Sequence, residues 1–296
     1  MTGASGFLGA SLLPRLEAEY SVIPVSRSGR QGWIAADLTD AASVAKALRE
    51  TRPDAVVHAA AWTSVDGCER DQAQAYAQNV LATANLMKAC AEMPSVPRLV
   101  LISTDQFYDG AGPHGEEGPV TPRNVYALTK RWAEDIAVRT ESTLVLRSNF
   151  FGPGRKPGEG LASWLLDSLG AGRTVTVFED VLFNPLYVED YADLLLELMR
   201  RGCRGIVNLG ADGGGMSKAA FAHALAERFG VPIASARTGS VSDAKLAAMR
   251  PKDMRMKIDR LRALLPGRPI PTVLAGIDRM YRDVEGGRGV RKESFA

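Results

Sequence analysis

The sequence predicts an α/β fold, a doubly wound parallel sheet followed by a smaller carboxyl-terminal portion. Three observations carry the prediction. Short apolar runs alternate with helical-period runs through the first 150 residues; the glycines Gly3, Gly6 and Gly9 open the first helical segment; and past residue 150 the chain turns to Gly- and Pro-rich stretches such as "FGPGRKPGEG" and "LGADGGGMS".

Each element follows from its own pattern. "FLGASLLPRLEAE" spaces Leu8, Leu12, Leu13 and Leu16 at helical intervals, so a helix begins near Phe7, with Pro14 expected in its first turns. "YSVIPVSR" reads as a short buried strand, "AASVAKALRETRP" as a helix stopped by Pro53, and "DAVVHAAA" as a strand. The long segment "AQAYAQNVLATANLMKACAEM" is helical, "PRLVLISTD" a strand, "NVYALTKRWAEDIAVRT" a helix and "STLVLRSN" a strand. Such alternation requires right-handed crossovers between parallel strands. Residues 1–150 form the first domain, and 151–296 are mostly a second portion, with a helix at about 189–201 returning to the main sheet. The polar tail "EGGRGVRKESFA" is expected to fray.

Composition excludes several function classes. The chain has 296 residues, 46% hydrophobic and 24% charged, enough for a sizeable core. A formal charge of +2, with the basic residues scattered, argues against nucleic acid. No apolar run approaches a membrane span and no secretory signal opens the chain, so a cytoplasmic protein with no membrane partner is expected. Cys68, Cys90 and Cys203 and the histidines His58, His114 and His223 are isolated, giving no disulfide framework and no metal site.

The chemistry sits in three places. A glycine turn lets backbone approach a pyrophosphate whose charge meets the N–H groups of a helix start, which makes residues 1–150 a dinucleotide-binding domain. "NVYALTK" puts Tyr126 and Lys130 on one helix face, where an ammonium can pull a phenol down from its usual pKa of about 10 toward working pH. "LISTDQFYDG" puts Ser103, Thr104 and Asp105 just past a buried strand, where ligands of open α/β sheets bind. At the end of the second strand an acidic residue would select NAD; this chain has "VSRSGR", whose Ser26, Arg27 and Ser28 suit the 2′-phosphate of NADP, with NAD second.

Together, TGASGFLG, STD and YALTK resemble the extended short-chain dehydrogenase/reductase family, whose sheet is of the Rossmann type. "RPDAVVHAAAWTSVDGCERDQAQAYAQNV" and "STDQFYDG" resemble its dTDP-4-dehydrorhamnose reductase branch, and "FNPLYVEDYADLLLEL" and "MRPKDMRMKIDRL" are more loosely similar to later segments. The resemblance implies an NAD(P)-dependent oxidoreductase reducing a nucleotide-linked 4-keto-6-deoxy sugar. It makes Tyr126 the proton donor, Lys130 its activator and a ribose ligand, and Thr104 a partner of the reacting oxygen. It assigns Gly3, Gly6, Phe7, Leu8, Gly9, Arg27, Asp37, Leu38, Ala59, Ala60 and Ala61 to the cofactor and Thr63, Val65, Asp105 and Asn149 to the substrate. A homodimer is compatible with it. Trp62 and Gln106 replace commoner aromatic residues. Gln106 also stands where sugar-nucleotide 4,6-dehydratases carry Glu, which favours plain keto reduction over dehydration. The alternatives are an epimerase or dehydratase and a non-catalytic subunit, since the regulatory subunit of methionine adenosyltransferase is similar to the same branch.

One feature departs from this pattern. Only Met1 and Thr2 precede the glycine turn, where the family has five or six apolar residues forming the innermost strand. A missing central strand leaves a slot about 10 Å wide. A start placed too late, another segment in the slot, and a degenerate protein are the explanations, in that order.

Overall fold

The computed structural model describes residues 1–287, so most of the tail expected to fray lies outside the described residues. Helix α1, Phe7–Glu17, starts from Gly6 and buries Leu8, Leu12 and Leu16. Pro14 lies well inside it rather than in its first turn, and there forfeits the bond its nitrogen would give Ala10. Helix α2, Ala41–Thr51, is capped by the Asp40 carboxylate, which accepts from Ala42 and Ser43, and ends at Arg52 in a left-handed conformation (φ 42°) before Pro53.

Strands β1 (Val25–Ser26), β2 (Ile34–Ala35), β3 (Ala55–His58), β4 (Arg98–Ile102), β5 (Leu144–Ser148) and β6 (Gly205–Leu209) build the main sheet. All pairings among them are parallel: β6 with β5, β5 with β4, β4 with β3, and β1 with β2. β4 and β5 are almost wholly buried, as the apolar runs "RLVLI" and "LVLRS" require of strands covered on both faces. The long helix after β3 is not continuous: a π-helical turn at Tyr76–Leu81 precedes α3, Ala82–Ala91. Helix α4, Val125–Ala137, is capped by the Asn124 side chain, which accepts from the Ala127 N–H at 2.8 Å.

The expected empty slot is partly filled. Thr2 bridges both Val25 of β1 and His58 of β3, joining the halves into one order, β2-β1-(Met1–Thr2)-β3-β4-β5-β6. The Thr2 N–H reaches the Val57 carbonyl at 2.9 Å, and Val25 N–H reaches the Met1 carbonyl at 2.8 Å. Two residues therefore hold the carboxyl end of the innermost strand, directly under the glycine turn. "YSVIPVSR" pairs only at Val25–Ser26, because the stretch before it runs along the unfilled part of that slot.

Beyond residue 150 the chain contributes to both regions. Helix α5, Val188–Arg200, packs on α1, and Arg15 of α1 holds Glu189 and Asp193 of α5. β6 completes the main sheet. Phe151, Phe183, Tyr187 and Phe221 form an aromatic core in the remainder.

Candidate active site

The carboxyl ends of Met1–Thr2, β3, β4 and β5 open onto one cleft of about 530 Å³. This is the switch point of the sheet, where α1 leaves on one side and the crossover after β3 on the other. Gly3 has φ +67°, and a Cβ there would meet the Ala59 carbonyl carbon and Ala60 nitrogen at 2.6 Å. A Cβ on Gly9 would lie 2.4 Å from the Ala4 carbonyl oxygen. These two glycines therefore permit close chain-to-chain approach, and together with Gly6, at the start of α1, they line the cleft. The first N–H groups of α1 have no carbonyl within the helix, so they suit an anion. Arg155, on the loop 152–160, donates to the Ser5 carbonyl and brings a cation over the same turn.

Opposite the turn stand the polar residues. Thr104, Asp105, Tyr126 and Lys130 are all buried and all line the cleft. Lys130 Nζ donates to the Ile102 carbonyl at 2.7 Å. Burial pushes the ammonium down to about 8, with Glu134 opposing. The Tyr126 phenol is raised, not lowered: burial outweighs a hydrogen bond with Thr104, and the neighbouring Asp105 charge adds to the rise. The expected downward pull of Lys130 does not enter this balance, desolvation dominates it, and the phenol stays protonated. Asp105 accepts from Asn149 Nδ2 at 2.8 Å, while its other oxygen is buried without a hydrogen-bond partner. Burial lifts this carboxyl to about 6, with Asn149 and the Lys218 charge opposing.

Of the other residues expected from the sequence, Gly3, Gly6, Phe7, Leu8, Gly9, Ala59, Ala61, Thr63, Val65 and Asn149 line the same cleft. Four do not. Ala60 turns its N–H toward the Thr2 hydroxyl at 3.4 Å, and Arg27 donates to Gln78 Oε1 at 3.0 Å. Asp37 caps its own turn through Thr39, and Leu38 packs on the core beneath α2. Sequence reasoning missed Ser148, Phe150, Glu159 and Gly160, which also line the cleft. Phe150 stacks on Phe7 with ring centroids 6.0 Å apart, closing one wall. Asn79, the asparagine of the branch's sequence pattern, holds the Trp62 backbone on both sides and Thr129 of α4. The signal for Glu159 and Gly160 was the Gly- and Pro-rich run after Phe150, which marks a loop but not its contacts.

The chain is similar to several known proteins. The family described as "RmlD substrate binding domain" matches residues 1–284. The dTDP-4-dehydrorhamnose reductase of Streptomyces griseus is 34% identical over 203 residues, spanning 67% of this chain and 64% of that protein. The enzyme of the same name from Mycobacterium tuberculosis is 32% identical over 250 residues, spanning 80% of this chain and 79% of that one. A solved dTDP-4-dehydrorhamnose reductase from Bacillus anthracis, in complex with NADP, is 25% identical over 95% of this chain and 97% of its own, with a TM-score of 0.84.

Proposed function

The chain belongs to the RmlD substrate binding domain family, within the extended short-chain dehydrogenases/reductases, and from that premise we propose that it is an NADP-dependent reductase of a nucleotide-linked 4-keto-6-deoxy sugar. The observation that carries the reading is the convergence of Thr104, Tyr126 and Lys130 on the cleft that the glycine turn opens.

The residues fit the cofactor. Gly6 and the first N–H groups of α1 would hold the pyrophosphate, with Arg155 adding charge. Arg27, at the end of β1, would take the 2′-phosphate by leaving Gln78. Bound there, the nicotinamide supplies the hydride. The chain supplies the rest. Tyr126, kept protonated by burial, donates its proton to the oxygen that becomes the alcohol. Thr104, on the same hydrogen-bonded pair, orients and polarises that oxygen. Lys130 supplies a fixed positive charge one helical turn from the phenol. Gln106, an amide lining the cleft, offers no carboxylate for the removal of water, so keto reduction is favoured over dehydration.

Asp105 and Asn149 form a bonded pair at the floor, and with Thr63 and Val65 they are the proposed substrate contacts. Nicotinamide oxidation followed with a panel of nucleotide-linked 4-keto sugars tests the assignment. Saturable oxidation of NADPH with at least one of them is expected. Cofactor binding without turnover on any member would instead support a non-catalytic subunit.

A further inference from the structure

Lys218 is the first residue of the helix Lys218–Phe229, just after Ser217, whose hydroxyl caps that helix by accepting from the Ala220 N–H. Its backbone N–H reaches the Val181 carbonyl at 2.9 Å, and Met216–Ser217 pairs antiparallel with Leu182–Phe183. Met254 bonds to the same short strand, donating its N–H to the Leu182 carbonyl at 2.9 Å, and its Sδ accepts from Gln106 Nε2 at 3.1 Å. Gln106 and Asp105 line the cleft. The start of this helix is therefore joined, through one strand and Met254, to the wall that carries the proposed substrate contacts.

The Lys218 ammonium is an anomaly in that place. The residue is partly buried, and its Nζ lies 4.4 Å from the centroid of the Phe183 ring. Among the described residues the ammonium has neither a hydrogen-bond partner nor a carboxylate within ion-pair distance, whereas buried charges are ordinarily paired. The carboxylates close to it along the chain are taken. Asp180 holds Lys252 at 2.9 Å together with Ser240 and the Val241 N–H, and Asp212 holds Arg262. Burial pushes the ammonium down to about 8, and the Arg250 charge adds to the fall. A helix amino terminus disfavours a cation as well. Asp105 is the opposing charge, from the cleft side, but its Oδ2 accepts from Asn149 rather than from Lys218. Resting on Phe183 offsets only part of the cost, since a ring face attracts a cation without neutralising it.

Arg250 is the second cation at this end of the site. Its guanidinium holds Asp66 at 3.0 Å, the residue after Val65 of the cleft, and it repels Lys218. An anion of more than one charge relieves both cations at once, where a neutral hydroxyl relieves neither. We propose that Lys218 binds the sugar-side phosphate of a nucleoside diphosphate sugar, with Arg250 facing the same diphosphate. The proposal rests on the nucleotide-linked substrate of the reading above and adds the residue that fixes where its sugar begins. The sugar-side phosphate is assigned because the carboxylate whose charge reaches Lys218 is Asp105, one of the proposed substrate contacts. By holding the linked end of the sugar, Lys218 sets how far the carbonyl extends toward Thr104 and Tyr126.

The test measures binding of dTDP, UDP and thymidine monophosphate by calorimetry to the parent, Lys218→Met and Lys218→Arg, with no cofactor or keto sugar present. Methionine keeps an apolar stem over Phe183 and removes the charge. Lys218→Met is expected to weaken binding of the tighter diphosphate by about tenfold or more. The monophosphate, which lacks the sugar-side phosphate, should lose less than about threefold. Lys218→Arg should keep most of the affinity, and added KCl should erode the affinity of the parent more than that of Lys218→Met. Equal diphosphate affinity in parent and Lys218→Met, or no diphosphate binding by the parent, overturns the proposal. A lowered melting temperature with diphosphate and monophosphate affinity lost alike would mark a structural residue, and also overturns it. Selective loss of diphosphate affinity in Lys218→Met, in a protein whose parent reduces no keto sugar, would support this site and count against the proposed reaction instead.

Discussion

Lys130 Nζ donates to the carbonyl oxygen of Ile102 across 2.7 Å, tying the centre of α4 to the last residue of β4, just before Ser103 and Thr104. The helix that carries Tyr126 is thereby registered against the strand end that carries Thr104. Because burial holds the Lys130 ammonium near 8 and the phenol well above its ordinary value, Lys130 is the first of the two to lose its proton as pH rises. Reductase activity is therefore expected to decline above pH about 8. Lys130→Arg should push that decline upward, and Lys130→Met should lower turnover and weaken NADP binding together. A pH profile of kcat/KM for the three proteins checks this; an alkaline limb unmoved by Lys130→Arg would assign it to another group.

Tyr126→Phe removes the proton donor and keeps the ring in its buried site beside Cys68 and Ala75. Turnover should fall by about 10²–10⁴ with cofactor affinity nearly unchanged. Steady-state kinetics together with a cofactor titration separates the two effects, and turnover within threefold of the parent would remove Tyr126 from the mechanism.

Arg27→Asp places a carboxylate where the 2′-phosphate is proposed to lie. The ratio of kcat/KM for NADP over NAD should fall at least tenfold, because the carboxylate repels the phosphate and accepts from a 2′-hydroxyl. The Gln78 contact is exposed, so folding should be little affected. An unchanged ratio would mean that Arg27 stays in solvent.

His58 fixes the innermost strand. Its Nδ1 lies 2.8 Å from the Thr2 hydroxyl and its Nε2 3.2 Å from that of Thr83. Burial, with the Lys130 and amino-terminal charges, lowers it from 6.5 to about 3. The unfolded chain then binds a proton that the folded chain refuses between those values, so stability is full above pH about 6.5 and is lost as pH falls toward 3. The Met1 amine, lowered from 8.0 to about 6, acts in the same direction over its own window. Asp105, raised from 3.8 to about 6, acts in the opposite one. Between about pH 3.8 and 6 the His58 and Asp105 slopes oppose each other and largely cancel, so the His58 contribution is read as the difference between the parent and a His58 variant. Denaturant unfolding from pH 4 to 8, repeated with His58→Gln, should show the variant gaining stability relative to the parent as pH falls from about 6.5 toward 4. A constant difference between the two proteins would reject His58 as its source.

Thr2→Val keeps the shape at the bridge and removes the hydroxyl. The buried His58 Nδ1 is then left without that partner, at a cost of about 1–3 kcal/mol. Urea unfolding measures this directly, and a loss below about 0.5 kcal/mol would mean that Thr2 is held by its backbone bonds alone.

Much of this molecule was legible in local pattern. Apolar runs at β3, β4 and β5 announce buried parallel strands, because strands covered on both faces must be apolar throughout. The Tyr126 and Lys130 spacing and the position of Thr104 after β4 follow from helix periodicity and strand ends, which are local quantities. The fate of Met1 and Thr2 was not local. Two residues can form a strand only when walls already exist on both sides, and β1 and β3 supply them.

The same holds for Arg155 over Ser5, 150 positions apart, and for Asn79 clamping Trp62 and Thr129. Desolvation likewise belongs to the assembled fold. The sequence places an ammonium one helical turn from a phenol, but burial sets the sign of the shift, and here it holds Tyr126 protonated. The sequence by itself therefore determined which chemical groups are present and how they are spaced along each element. The tertiary structure decided which of them lose water and which distant backbone groups they meet, because burial and pairing are properties of packed neighbours rather than of residue order.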